Sequence, residues 1–148
     1  MTTHSPYEDP IIQRLFDALN DLAKGNTTPW AEMFLPIGSM EFPYAPPAYP
    51  KSLDGKSAIA DYIKEYPNHI ALHRVTCDNV FYCNHVRIVE FHAEATAVTT
   101  GRDFSMHYVA VIEVEDGLIR TYRDYWNPLV ALEAMNGLDA LNSMGGTQ

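Results

Sequence analysis

Asp116-Gly117-Leu118-Ile119-Arg120-Thr121-Tyr122-Arg123-Asp124-Tyr125-Trp126-Asn127-Pro128 reads as a hairpin turn, a strand and a helix start. An Asp-Gly pair between two apolar-rich runs is the strongest short-range hairpin signal, because a two-residue type I′ turn needs positive φ at both central positions. Asn127-Pro128 opens a helix: asparagine can accept a free first-turn amide, and proline at the first helical position gives up a donor that had no partner. Between these two signals a strand holds one carboxylate, Asp124, among aromatic rings.

The turn also implies a register. If both strands are regular, Glu113 lies opposite Arg120, Val111 opposite Tyr122, Val109 opposite Asp124 and His107 opposite Trp126, with all these side chains on one face. Glu113 and Arg120 would then form an exposed ion pair worth about 0.2–1 kcal/mol. Farther from the turn the same face gathers His107, Val109, Tyr122, Asp124 and Trp126. A carboxylate beside an imidazole, bracketed by rings, can have its pKa raised by desolvation, and such a pair suits proton abstraction in one step and return in another. The alternatives leave Asp124 structural, as a cap for the following helix or an ion-pair partner of Arg102 or Arg123.

Working outward, the period-2 signal extends back to His69. Runs rich in Val, Phe, Tyr, Ile and Thr over about 70–82, 86–99, 104–115 and 118–126 are separated by short turns, which predicts a four-strand antiparallel meander. Glu90, His92 and Glu94 alternate on one strand face, either solvated outside or, for Glu90 or His92, pointing into a cavity. Helices precede the sheet. Ile11, Ile12, Leu15, Phe16, Leu19, Leu22 and Ala23 recur at helical spacing until Gly25-Asn26. Thr28-Pro29 starts a short apolar turn with Trp30, Met33 and Phe34, and Ile37–Phe42 reads as a brief strand. Residues 43–50 carry four prolines and must be an irregular loop, whose Tyr44 and Tyr49 suit a pocket rim. A helix from Ser57 to Tyr66 ends at Pro67. A last helix runs from Pro128 to about Met135, stopped by Asn136-Gly137, and small polar residues from Asn142 to Gln148 read as a frayed tail. Helices followed by a meander and a closing helix define an α+β order.

Composition narrows the function. A chain of 148 residues fits a single domain with one core. Its net charge of -9, with only ten scattered Lys and Arg, argues against nucleic acid or an anionic membrane as partner. No apolar run reaches the ~20 residues that span a bilayer, and the first residues lack a signal pattern, so the expected location is cytoplasmic. Cys77 and Cys83 lack metal-ligand spacing and read as unpaired structural thiols. His69 and His73, extended after Pro67-Asn68, would be ~13 Å apart and cannot chelate together, though His73 can line a pocket. No metal or cofactor motif, phosphate-cradling glycine loop or G-x-S-x-G is present.

The helix-then-meander order, the hairpin Val114-Glu115-Asp116-Gly117-Leu118-Ile119 and the ending Tyr122-Arg123-Asp124-Tyr125-Trp126-Asn127-Pro128 resemble the SnoaL-like group of the nuclear transport factor 2-like superfamily, over residues 8 to 136. The resemblance implies a cone: a strongly curved antiparallel sheet wrapped around helices, enclosing an apolar pocket and commonly dimerising through the sheet. The superfamily includes ketosteroid isomerases, polyketide cyclases, scytalone dehydratase, limonene epoxide hydrolase and the phenazine biosynthesis A/B proteins. In the cyclases an Asp late in the last strand works with a His on the neighbouring strand, which maps onto Asp124 and His107. The phenazine proteins resemble the chain at the same place, with Glu where Asp124 stands and an Asn matching Asn127. The trio of ketosteroid isomerase is not found in register, and Arg102 and Asp103, needed for an epoxide-hydrolase arrangement, fall in a turn. The resulting expectation is a cofactor-independent isomerase, cyclase or dehydratase acting on a hydrophobic, cyclic or carbonyl-bearing small molecule. Asp124 and His107 are the expected catalytic pair, with Trp30, Phe34, Tyr44, Tyr62, His73, Glu90, Val109, Tyr122 and Trp126 lining the pocket. The alternative is a non-catalytic binding or accessory protein on the same fold.

Overall fold

The computed structural model describes residues 2–3 and 9–135, so the expected helix stop at Asn136-Gly137 and the polar tail lie outside the described residues. In chain order the elements are β1 (Thr2–Thr3), α1 (Pro10–Ala23), α2 (Thr28–Glu32), β2 (Phe34–Glu41), β3 (Ser52–Asp54), α3 (Lys56–His69), β4 (Ile70–Cys83), β5 (Val86–Ala97), β6 (Asp103–Glu115), β7 (Leu118–Trp126) and α4 (Pro128–Ala134). The strands form one seven-stranded sheet in the order β1-β4-β5-β6-β7-β2-β3, antiparallel except for the β2–β7 pair. The curved sheet wraps the helices, in the α+β order expected from the elements and the cone that the family resemblance implies. No helix among the described residues is long and apolar enough to cross a membrane.

The core lies between α1 and the inner face of the meander. Ile12, Leu15, Leu19 and Leu22 of α1 are buried against Val89, Phe91, Ala93 and Ala95 of β5 and Ala110 and Ile112 of β6. In β5 half-buried and buried residues alternate from Ile88 onward, the signature of a strand with one face on the core. The start of α1 is fastened by Asp9, whose Oδ1 accepts the Ile11 amide at 2.9 Å while Oδ2 accepts from Arg87 Nε at 2.8 Å. Burial pushes the Asp9 carboxyl up, but hydrogen bonds from Arg87, Tyr82 and the Ile11 amide outweigh this and hold it below the usual carboxylate range.

Several boundaries differ from expectation. Helix α3 runs through Pro67 to His69 although proline gives up its bond to the carbonyl four residues back, and the Ile70 amide still donates to the Tyr66 carbonyl. Strand β2 begins at Phe34 and includes Pro36, where the pairing with β7 is interrupted between Phe34 and Ser39, so the missing proline N–H costs no regular ladder bond. Ser52–Asp54, for which no strand was expected, form an edge strand on β2. The cap of α2 is Thr27 rather than Thr28, and its side chain makes no capping bond.

The hairpin is as the turn chemistry requires, with φ of 54° at Asp116 and 78° at Gly117. Its register changes one step later. Glu115 pairs with Leu118 and Val114 with Ile119, but then Glu113 pairs with Thr121, Ile112 with Tyr122, Ala110 with Asp124 and Tyr108 with Trp126. Arg120 is an extra residue, a β-bulge, and the expected pairings of Val109 with Asp124 and His107 with Trp126 are wrong. The physical reason is burial: Ile119 and Tyr122 are exposed by only 0% and 1%. Three residues apart on an unbroken strand, they would point to opposite faces; the bulge turns both inward. The expected Glu113–Arg120 pair is likewise replaced: Arg120 meets Glu115 at 3.0 Å, and Glu113 meets Arg123 at 3.6 Å.

Two changes test this account. A Cβ on Gly38 would lie 2.9 Å from the Ile119 carbonyl oxygen, next to the bulge. Gly38→Ala is therefore expected to lose about 1–3 kcal/mol by overpacking against backbone, read as a lower urea midpoint at unchanged m. Asp9→Ala removes a cap and strands Arg87, with an expected cost of about 3 kcal/mol at pH 7. Because the folded Asp9 pKa lies below the unfolded one, its contribution is complete above about pH 4 and is lost as pH falls through the folded value. Denaturant titrations should show the gap to wild type narrowing below pH 4.

Candidate active site

With the corrected register, the inner face of β6 and β7 carries Phe104, Met106, Tyr108, Tyr122, Asp124 and Trp126, all lining a cavity of about 510 Å³. Phe91 and Ala93 of β5 and Leu72 and Val75 of β4 continue the wall. Leu19, Leu22, Trp30, Met40 and Phe42 also line it, as do Tyr49 from the proline-rich loop, Tyr62, Ile63 and Tyr66 from α3, and Ala131, Ala134 and Met135 from the last helix and its end. That last helix is capped by Asn127, whose Oδ1 accepts the Leu129 amide at 3.0 Å. It is tied to the turn before β6 by Thr100 Oγ1 donating to the Ala134 carbonyl at 2.6 Å and Arg102 donating to that of Glu133 at 2.8 Å. Glu65 and His69 are the exposed ionisable groups at the rim.

Among the described residues Asp124 is the one carboxylate in this wall besides Glu65. Its Oδ1 is buried and has no hydrogen-bond partner among the described residues. Desolvation pushes its pKa up to about 7, and no cation among the described residues opposes it. The structural alternatives do not apply: Asn127 caps the helix, Arg123 sits by Glu113 and Arg102 by Glu133. Around the carboxylate are Tyr49, Tyr62, Tyr66 and Tyr108, and the hydroxyls of Tyr49 and Tyr62 are hydrogen-bonded to each other. Burial pushes all four hydroxyls up, and the Asp124 charge adds to the effect at each, as it does at Tyr122. They therefore stay protonated near neutrality and act as donors. The Trp30 indole is already engaged, donating to Met40 Sδ at 3.4 Å, and its ring packs edge-on to Tyr122 with centroids 5.4 Å apart.

The expected site residues separate by face. Asp124, Trp30, Tyr62, Tyr122 and Trp126 line the cavity. Phe34 is buried behind it, with its ring 6.3 Å from those of Trp30 and Tyr122. Tyr44 is 62% exposed and packs on Tyr125, which alternates away from Asp124. His73, Glu90, Val109 and His107 lie on the outer face: His73 bonds to Thr96, Glu90 accepts from Asn79, Val109 stands opposite Glu90, and His107 stands opposite His92. The pairing of Asp124 with His107 is thus corrected, since the sheet stands between them. Tyr49, expected at a pocket rim, lines the cavity, whereas Tyr66 and Tyr108 were missed as site residues. Tyr108 was hidden by the register, and the Ile119/Tyr122 spacing was the signal that could have found it.

Comparison with known proteins agrees with this architecture. Bacillus subtilis protein YesE is 44% identical over 110 residues, 73% of this chain and 75% of that one. The PhzA/B-like protein PA3332 of Pseudomonas aeruginosa is 36% identical over 129 residues, 85% of this chain and 90% of the relative. The solved structure of an isomerase candidate from Bacillus subtilis superposes with a TM-score of 0.82 at 37% identity, over 90% of this chain and 97% of that one. Residues 12–122, which build the cavity from α1 to Tyr122, match the SnoaL-like domain, and the chain belongs to that family.

Proposed function

We propose that this chain is an acid/base enzyme, an isomerase, cyclase or dehydratase, acting on an apolar small molecule that carries a carbonyl group, with Asp124 as the proton-transfer residue. The observation that carries this reading is the Asp124 carboxylate in an apolar cavity, poised near neutrality, with its buried Oδ1 unpartnered among the described residues. A cavity of about 510 Å³ falls within the roughly 300–1,000 Å³ typical of small-molecule sites.

The chemistry follows from the protonation states. Near pH 7 Asp124 is populated both as base and as acid, so it can take a proton from a carbon beside the carbonyl and deliver it to another atom of the same molecule. Negative charge then develops on the carbonyl oxygen. Between Tyr49 and Tyr62 one hydroxyl donates to the other, which leaves the second hydrogen free to point at that oxygen. In a site with little water such a donor stabilises the enolate strongly. The proton removed is the proton returned, so isomerisation balances without an oxidant or reductant. His107 has no part in the step. A binding protein on the same fold would use the cavity and the tyrosine donors but would not need Asp124 to change protonation.

Exchange of α-hydrogens for deuterium in a panel of cyclic ketones, followed by NMR, tests this. Wild type is expected to catalyse exchange for at least one member, with a rate that rises as pH passes about 7 and Asp124 ionises. Asp124→Asn should lower that rate by about 10²–10⁴. Ligands that bind equally to both proteins and never exchange would identify a binding protein instead.

The same residue makes a stability prediction of opposite sign. The folded Asp124 pKa exceeds the ordinary 3.8, so the folded state loses stability as pH rises from about 4 to about 7, and the penalty is complete above that. Asp124→Asn should therefore be more stable than wild type at pH 8, by on the order of 2–4 kcal/mol at 1.36 kcal/mol per pKa unit. The difference should close toward pH 4. Denaturant titrations that find the variant less stable at pH 8 would point to a structural role.

A further inference from the structure

The outer face of the sheet, away from the cavity, holds a side-chain cluster that proton transfer does not use. His92 of β5 stands directly opposite His107 of β6, with ring centroids 5.2 Å apart. Asp78 of β4 joins them. The β4–β5 register shifts between Cys77 and Asn79, which leaves Asp78 out of the ladder, and its Oδ2 lies 2.8 Å from His92 Nδ1. One ligand atom from each of the three side chains lies within 4.8 Å of the others.

We propose that Asp78, His92 and His107 form a binding site for a divalent transition metal ion, with zinc as its reference ion. Two imidazole nitrogens and one carboxylate oxygen are a donor set suited to zinc, nickel or copper and poorly suited to magnesium or calcium, which take oxygen ligands. Ligand atoms at about 2.0–2.2 Å from a tetrahedral centre are about 3.4 Å from one another, so side-chain rotation alone converts the present spacing into a coordination shell. The backbone needs no change. Three adjacent strands fix the Cα positions, and the bulge at Asp78 re-aims its carboxylate, a recurring use of bulges.

The surroundings favour a cation. Glu90 and Glu94 flank His92 on the same face, and each already accepts a hydrogen bond, Glu90 from Asn79 at 3.0 Å and Glu94 from Ser105 at 2.9 Å. They add negative potential without competing as ligands, while Arg74 stands opposite Glu94, one same-face pair beyond His92 and Thr76. With three protein ligands the shell has a position open to water. Because the sheet separates this site from Asp124, the ion would act as a clamp across β4, β5 and β6 and take no part in proton transfer.

Titration calorimetry on untagged, EDTA-treated, dialysed protein tests the site, with zinc chloride and magnesium chloride as probes. The expected result is one zinc per chain, no displacement by magnesium, and a melting temperature raised by zinc and restored by EDTA. His92→Ala, His107→Ala and Asp78→Asn should each weaken zinc binding by at least about tenfold, the lower end of what loss of even an outer-shell partner costs. Their melting temperatures without zinc should match wild type, and His107→Gln serves if the alanine variant fails to fold. His85→Ala and Cys83→Ser, which alter other exposed donors, should bind as wild type does. Zinc affinity unchanged by the His92 or His107 variants, lost in either control, or saturating at one ion per two chains would overturn the proposal.

Discussion

Everything in this molecule depends on one extra residue in β7. Ile119 and Tyr122 must both be buried, and a strand has only two faces, so the odd spacing between them demands a bulge at Arg120. That bulge sets which half of β7 looks inward. It aims Tyr122, Asp124 and Trp126 into the cone and sends Arg123 and Tyr125 outward. Gly38 fits against the same spot because no side chain can stand between β2 and the Ile119 carbonyl. The hairpin turn positions the strand; the bulge gives it its chemistry.

The two faces of the sheet consequently hold different kinds of polar group. Inside, one carboxylate and a set of tyrosines sit in an apolar cavity, where lost hydration raises every pKa and keeps the hydroxyls protonated. Such a carboxylate is a stability cost, since its charged form is left without a cation or a full complement of hydrogen bonds. Its retention at the inner face of the cavity fits a group whose value is reactivity. Outside, histidines and acids are solvent-accessible and neighbour one another across strands, which gives the surface its own capacity for binding cations. Fold membership alone would not separate these roles, because one fold hosts many chemistries.

Local chemistry was easy to read where it is local in cause. Asp116-Gly117 specified its turn, Asn127-Pro128 its helix start, and the strand runs from residue 70 to 126 were legible to within a few positions because burial on one face enforces alternation. The proline-rich loop was legible as a loop, but its two tyrosines diverge, Tyr49 into the cavity and Tyr44 to the surface, a choice made by what each loop residue meets. His107 was assigned to the wrong face for a comparable reason. Its own strand was read correctly, and the error came from extending a regular pairing past a position where the partner strand is irregular.

The sequence by itself determined the α+β order, the hairpin, the capped last helix, the family and the presence of Asp124 among rings, because turn residues, caps and hydrophobic periods act over a few neighbours. Only the tertiary structure decided which residues share a face with Asp124, that the tyrosines around it come from α3, β6 and a distant loop, and that His92, His107 and Asp78 meet. Those outcomes rest on register, and register is a property of two strands together: a single unpaired residue moves every side chain beyond it to the other side of the sheet.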